Sequence, residues 1–183
     1  MEAARILQAI DARPQRTIRV VLWSGEEEGS YCLGSQEYVA KHFATRPISE
    51  DPEELELPLH GRERLLPINH LPDYQKLSVS FNLANGGGNI LCIFAEDNAA
   101  SAPIFESWLK PFHDLGATKV LQRTGGSDNR YVNAVGLPAF QFLQDMRDYI
   151  TRTHHTNLDD VDYVQREDLM QASVIMASFA YHA

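Results

Sequence analysis

Two cysteines, Cys32 and Cys92, are the only thiols in 183 residues, too few for a disulfide framework. One stands beside an acidic loop and the other inside the apolar run Ile90 to Ala95, and both read as small packed hydrophobes. Cationic residues are also scarce. Sixteen Lys and Arg against 25 Asp and Glu give a net charge of −9, without the basic face that nucleic acid or an anionic membrane demands. No apolar stretch is long enough to span a bilayer, and the chain opens on an amphipathic segment rather than a signal peptide. There is no internal repeat and no low-complexity tract. What remains is an ordinary globular composition, 44% hydrophobic and 22% charged, in a length that suits one well-buried domain and is short for two.

Periodicity gives alternating helices and strands. Ala3, Ile6, Leu7 and Ile10 fall at helical spacing in Glu2 to Ala12, and Arg13-Pro14 closes that helix. The β-branched run Ile18 to Trp23 reads as a buried strand. Leu33 to Phe43 reads as a helix with Leu33, Tyr38, Val39 and Phe43 inward. Residues 47–72 are rich in Pro, Glu and Arg and read as a surface excursion without a core. Leu77 to Leu83 and Ile90 to Ala95 read as strands joined through Asn85-Gly86-Gly87-Gly88-Asn89, as a hairpin or a strand with a sharp exit. Ser101 to Leu115 reads as a helix with Ile104, Trp108, Leu109 and Phe112 on one face. Lys119 to Gln122 and Ala139 to Leu143 are further strands, and Glu167 to Ala183 is a final helix whose apolar positions include Leu169, Val174, Ala177 and Phe179. Alternation of this kind predicts a layered α/β sandwich.

The chemistry-bearing motif is Ser24-Gly25-Glu26-Glu27-Glu28-Gly29, placed at the end of the first predicted strand. In open α/β sheets that edge binds ligands. Three adjacent carboxylates repel one another unless a cation, a proton or water relieves them, which suggests one carboxylate on a metal and a neighbour handling protons. A solvated acidic turn before a helix has the same composition, because carboxylates suit the positive end of a helix dipole. Two later loops, Thr124-Gly125-Gly126-Ser127-Asp128 and Thr153-His154-His155-Thr156-Asn157-Leu158-Asp159, also fall at strand ends. Each alone reads as a turn or a surface histidine pair. Their joint occurrence in this order is much rarer.

In these motifs, with Phe81-Asn82-Leu83 and Gly136-Leu137-Pro138-Ala139, the chain resembles the co-catalytic zinc exopeptidases, the family of leucyl aminopeptidases, aminopeptidase Y and carboxypeptidase Q-like enzymes. The resemblance runs from the first helix to the last. It implies a three-layer α/β sandwich with a mixed, mostly parallel sheet, here one partial domain over residues 1–183 without the family's N-terminal strands. It implies Glu26 as the general base, and Glu27 and His155, rather than His154, as ligands of one zinc. Asp128, Tyr149 and Asp159 would lie in the surrounding shell or substrate pocket. Complete members hold two zinc ions and act on peptides, and many are secreted or periplasmic.

The departures from the family pattern are specific. Its early His-x-Asp and Asp-rich motifs have no counterpart here. It places an Asp ligand after Asn-Leu, where this chain has Ala84, and usually a His after the Gly-Gly-Ser-Asp loop, where this chain has Asn129. Ser30-Tyr31-Cys32-Leu33 also lengthens the acidic turn. Three expectations therefore stand: an exopeptidase portion completed by an upstream segment, a catalytically silent or truncated relative that acts as a binding or structural module, and an α/β domain whose resemblance misleads about chemistry. Zinc is expected to bind weakly or not at all. An uncovered sheet edge is expected to drive self-association.

Overall fold

The computed structural model describes residues 1–26, 32–57, 62–124 and 126–183. In chain order the principal elements are α1 (Glu2–Ala9), α2 (Leu33–His42), β1 (Ala44–Thr45), α3 (Pro52–Leu55), β2 (Asn69–His70), β3 (Ser80–Asn85), β4 (Ile90–Phe94), α4 (Ala102–Leu109), β5 (Lys119–Leu121), α5 (Asn129–Ala134), β6 (Ala139–Gln144) and α6 (Arg166–His182). They fall into two compact units, residues 1–22, 81–127 and 139–183 in the first and residues 23–80 and 128–138 in the second.

The first unit is built on a four-stranded sheet in the order β3-β6-β4-β5. The sheet is mixed: β4 runs parallel to β5 and antiparallel to β6. Helices α4 and α6 pack on it and α1 packs on α6, so the α/β class expected from the sequence is the class observed. The core is aromatic. Phe81 lies edge-on to Phe179 at 5.6 Å, Phe105 edge-on to Phe140 at 4.6 Å, and Phe142 edge-on to Phe179 at 5.1 Å. Phe142 and Phe179 are fully buried, and each ring of this kind contributes about 1.5–3 kcal/mol by burial. The β4–β6 ladder slips between Ile90 and Cys92. Gln171 of α6 meets the backbone there, donating to Ile90 O and accepting from Ile90 N, both at 2.8 Å.

Three features differ from the sequence reading. Ile18 to Trp23 forms no strand, and Val20 and Leu22 are 47% and 76% exposed. β-propensity measures fit to a paired, half-buried surface, and no described strand pairs with this run. Asn85 to Asn89 is not a hairpin turn, because β6 separates β3 from β4. It is the sharp exit: Gly86 has φ +108°, and a Cβ on Gly88 would stand 2.7 Å from Asp145 Cβ. Finally, Leu33, expected on the inward face of α2, is exposed, while Val39 and Phe43 of that face are buried. Cys32 and Cys92 are buried and unpaired, as small packed hydrophobes.

The second unit packs α2 against α5 and β1, with β1 and β2 antiparallel. Val39, Phe43, Ala44, Val132, Val135 and Leu137 form its core. Arg46 ties it together, donating to Ala134 O at 3.1 Å and to Arg64 O at 2.6 Å. Within residues 47–72, α3 carries no buried residue, and an isolated bridge joins Ile48 to Arg64.

Candidate functional site

Ser24 to Glu26, the described part of the acidic loop, belongs to the second unit. Gly34 N donates to Ser24 O at 3.1 Å, and a Cβ on Gly34 would come within 2.6 Å of that oxygen. Only glycine lets the start of α2 press so closely on the loop. Glu26 is half-buried. Glu27, the expected zinc ligand, lies outside the described residues. Cys32, with φ +62°, caps α2, and Ser35 Oγ donates to Cys32 O at 3.0 Å.

Asp128, 2% exposed, stands at the start of α5. Burial pushes its carboxyl above the usual range, and the Glu26 charge acts in the same direction. Hydrogen bonds from the Ser35 and Cys32 side chains act against that rise. Asp128 Oδ1 has no hydrogen-bond partner among the described residues. The Cys32 thiol is pushed up to about 12, first by burial and then by the Asp128 and Glu26 charges, with Arg130 opposing. Such a thiol is inert as a nucleophile. The grouping of Cys32, Ser35 and Asp128 was not read from the sequence. Its one signal there was the extra length of the acidic turn.

The first unit holds the other candidates. β3 carries Asn82, whose Nδ2 donates to Gln141 Oε1 at 2.6 Å and lies 3.3 Å from Ser127 Oγ. Two residues on, Ala84 O accepts from Tyr149 Oη at 3.3 Å. Tyr149 opens a single π-helical turn, Tyr149–Thr153, that leads to the histidine pair. The Tyr149 and His154 rings lie 4.8 Å apart, and the His154 and His155 rings 3.8 Å. His155 is exposed, with φ +58°. Asp159 is exposed and its N–H closes on Thr156 O at 3.3 Å. This unit therefore gathers Ala84, Tyr149, His154 and His155, and leaves Asp159 at the periphery. The second gathers Glu26 and Asp128.

A catalytic zinc takes three protein ligands. Position 84 of β3 offers a methyl group, and its carbonyl is already occupied by Tyr149. The imidazoles that Tyr149 gathers in the first unit are two adjacent side chains, His154 and His155. The described residues of neither unit complete a zinc site by themselves.

Known proteins resemble the chain over its whole length. Carboxypeptidase Q of Bos taurus is 24% identical over 180 residues, covering 98% of this chain and 32% of that protein. The Homo sapiens protein of the same name is 23% identical, with the same coverage. The chain thus spans about a third of the length of these curated relatives. Among solved structures, a peptidase M28 precursor from Shewanella amazonensis superimposes with a TM-score of 0.69 at 26% identity, covering 98% of this chain and 34% of that one. The zinc aminopeptidase BSAP from Bacillus subtilis does so with a TM-score of 0.62 at 20% identity, covering 98% and 38%. The sequence pattern of peptidase family M28 matches residues 1–180, and the chain belongs to that family.

Proposed function

We propose that this chain is a portion of a zinc exopeptidase catalytic domain, built to remove a terminal residue from a peptide, and that it is catalytically silent by itself. The family match over residues 1–180 carries the first half of this reading. Ala84, in the strand where the family pattern has an Asp ligand, carries the second.

In that reading Glu26 is the general base. It takes a proton from the water whose oxygen bonds to the scissile carbonyl carbon, and gives that proton to the leaving nitrogen as the C–N bond breaks, so that an amine and a carboxylic acid are released. Glu27 and His155 would hold one zinc, which when bound would supply the positive charge that makes water acidic. Asp128, Tyr149 and Asp159 belong to the shell around the ligands or to the substrate pocket. The Ala84 methyl also favours a second reading, a silent relative that keeps the fold as a binding module.

The test is hydrolysis of aminoacyl anilides and dipeptides by the purified chain with added zinc, cobalt or manganese. No turnover above background is expected, and Ala84→Asp alone does not restore it. Zinc-dependent turnover that disappears in Glu26→Gln would overturn the silent assignment and establish the chain as an exopeptidase as it stands.

A further inference from the structure

We propose that Tyr149 is a positioning residue for the His154–His155 pair, and that its hydroxyl ties the loop carrying the pair to β3. The inference rests on His155 being the functional group of its loop. It goes beyond that reading by naming what places the imidazole.

The anchor is the backbone of β3. Ala84 has no side-chain donor or acceptor, but its carbonyl accepts from Tyr149 Oη at 3.3 Å. The same tyrosine controls the histidines twice. Its carbonyl accepts from His154 N at 2.8 Å, which closes the π turn and fixes where the backbone leaves it. Its ring lies 4.8 Å from the His154 ring at an interplanar angle of 48°, and His154 passes the constraint on at 3.8 Å and 34° to His155. His155 sits at φ +58°, a region that a β-carbon disfavours and that surrounding contacts must hold.

The far side of the loop is closed independently. Thr156 Oγ1 lies 2.9 Å from both Arg152 O and Thr153 O and accepts from Leu158 N at 3.2 Å. Thr153 is buried at 3% exposure. The loop is thus pinned at both ends by protein groups, with the Tyr149 hydroxyl as its link to the strand. A merely structural tyrosine would stabilise the whole unit. A positioning one acts on the two imidazoles and the amides beside them.

The experiment is NMR on the metal-free chain, comparing wild type with Tyr149→Phe and His154→Ala. Tyr149→Phe keeps the ring and removes the hydroxyl. The His154 and His155 ring resonances are expected to shift, and amide exchange at His154 and Thr156 to accelerate about fivefold, the equivalent of one lost hydrogen bond. Cys92 and Ile93, in the centre of β4, are expected to exchange as before. His154→Ala removes the intervening ring and is expected to move the His155 resonances while the fold persists. Unchanged His155 resonances in both variants would overturn the proposal. So would equal acceleration throughout β4, or a Tyr149→Phe chain that does not fold. No readout depends on zinc or turnover, so this proposal and the exopeptidase reading can fail separately.

Discussion

Asn82 Nδ2 donates to Gln141 Oε1 at 2.6 Å, and both side chains are buried, the glutamine completely. Gln141 Nε2 in turn donates to Phe142 O at 2.8 Å. Two amides in the middle of an aromatic core are tolerated because each meets a partner. Asn82→Leu is expected to lower unfolding stability by about 1–3 kcal/mol, since it leaves the Gln141 oxygen buried without its donor. Adding Gln141→Leu should cost less than the sum of the single changes. Urea unfolding of the three variants measures this, and strict additivity would show that the amides act independently.

Asp128 gives a pH dependence of defined sign. Its folded carboxyl holds a proton at higher pH than an ordinary carboxylate, mainly through burial. The folded state therefore binds more protons than the unfolded one, and stability falls as pH rises from the ordinary carboxylate value through the raised one. Asp128→Asn removes that loss. The variant is expected to melt above wild type near about pH 7 and to match it near about pH 3, below the ordinary carboxylate range. Thermal unfolding at the two pH values decides the matter, and a variant less stable than wild type at neutral pH would contradict it.

Much of the fold was legible because most elements carry their own periodic signal. α2, β4 and α6 fall within a residue or two of their expected bounds. What failed depended on neighbours in space. Ile18 to Trp23 has a strand's composition, but a strand exists only as part of a ladder. The β3–β4 connection has a hairpin's glycines, yet β6, more than 40 residues further on, pairs between the two strands. The inward face of α2 was misjudged at Leu33, which as the first residue of the helix lies ahead of its buried positions Ser35 and Val39. The candidate site residues are named from family resemblance, residue by residue, and not from periodicity or spacing. The contact of Tyr149 with Ala84 O was not legible, because a backbone carbonyl leaves no mark in the sequence.

The exposed run around Val20 and Leu22 leads to a prediction about association. Exposed aliphatic side chains in a segment outside any described strand offer apolar surface to a partner. We expect the purified chain to self-associate in a concentration-dependent way, and Leu22→Lys to weaken that association without lowering the melting temperature. Light scattering over a concentration series tests it. A wild-type chain that is monomeric throughout would contradict it.

Zinc content tests the central claim most directly. A family member with Ala84 where the resemblance implies a ligand Asp, and with two adjacent imidazoles in its late loop, is expected to hold zinc weakly. After equilibration with excess zinc and exhaustive dialysis against metal-free buffer, elemental analysis should find well under one equivalent per chain. Two equivalents retained per chain would contradict the account, because a chain short of ligands could not retain them.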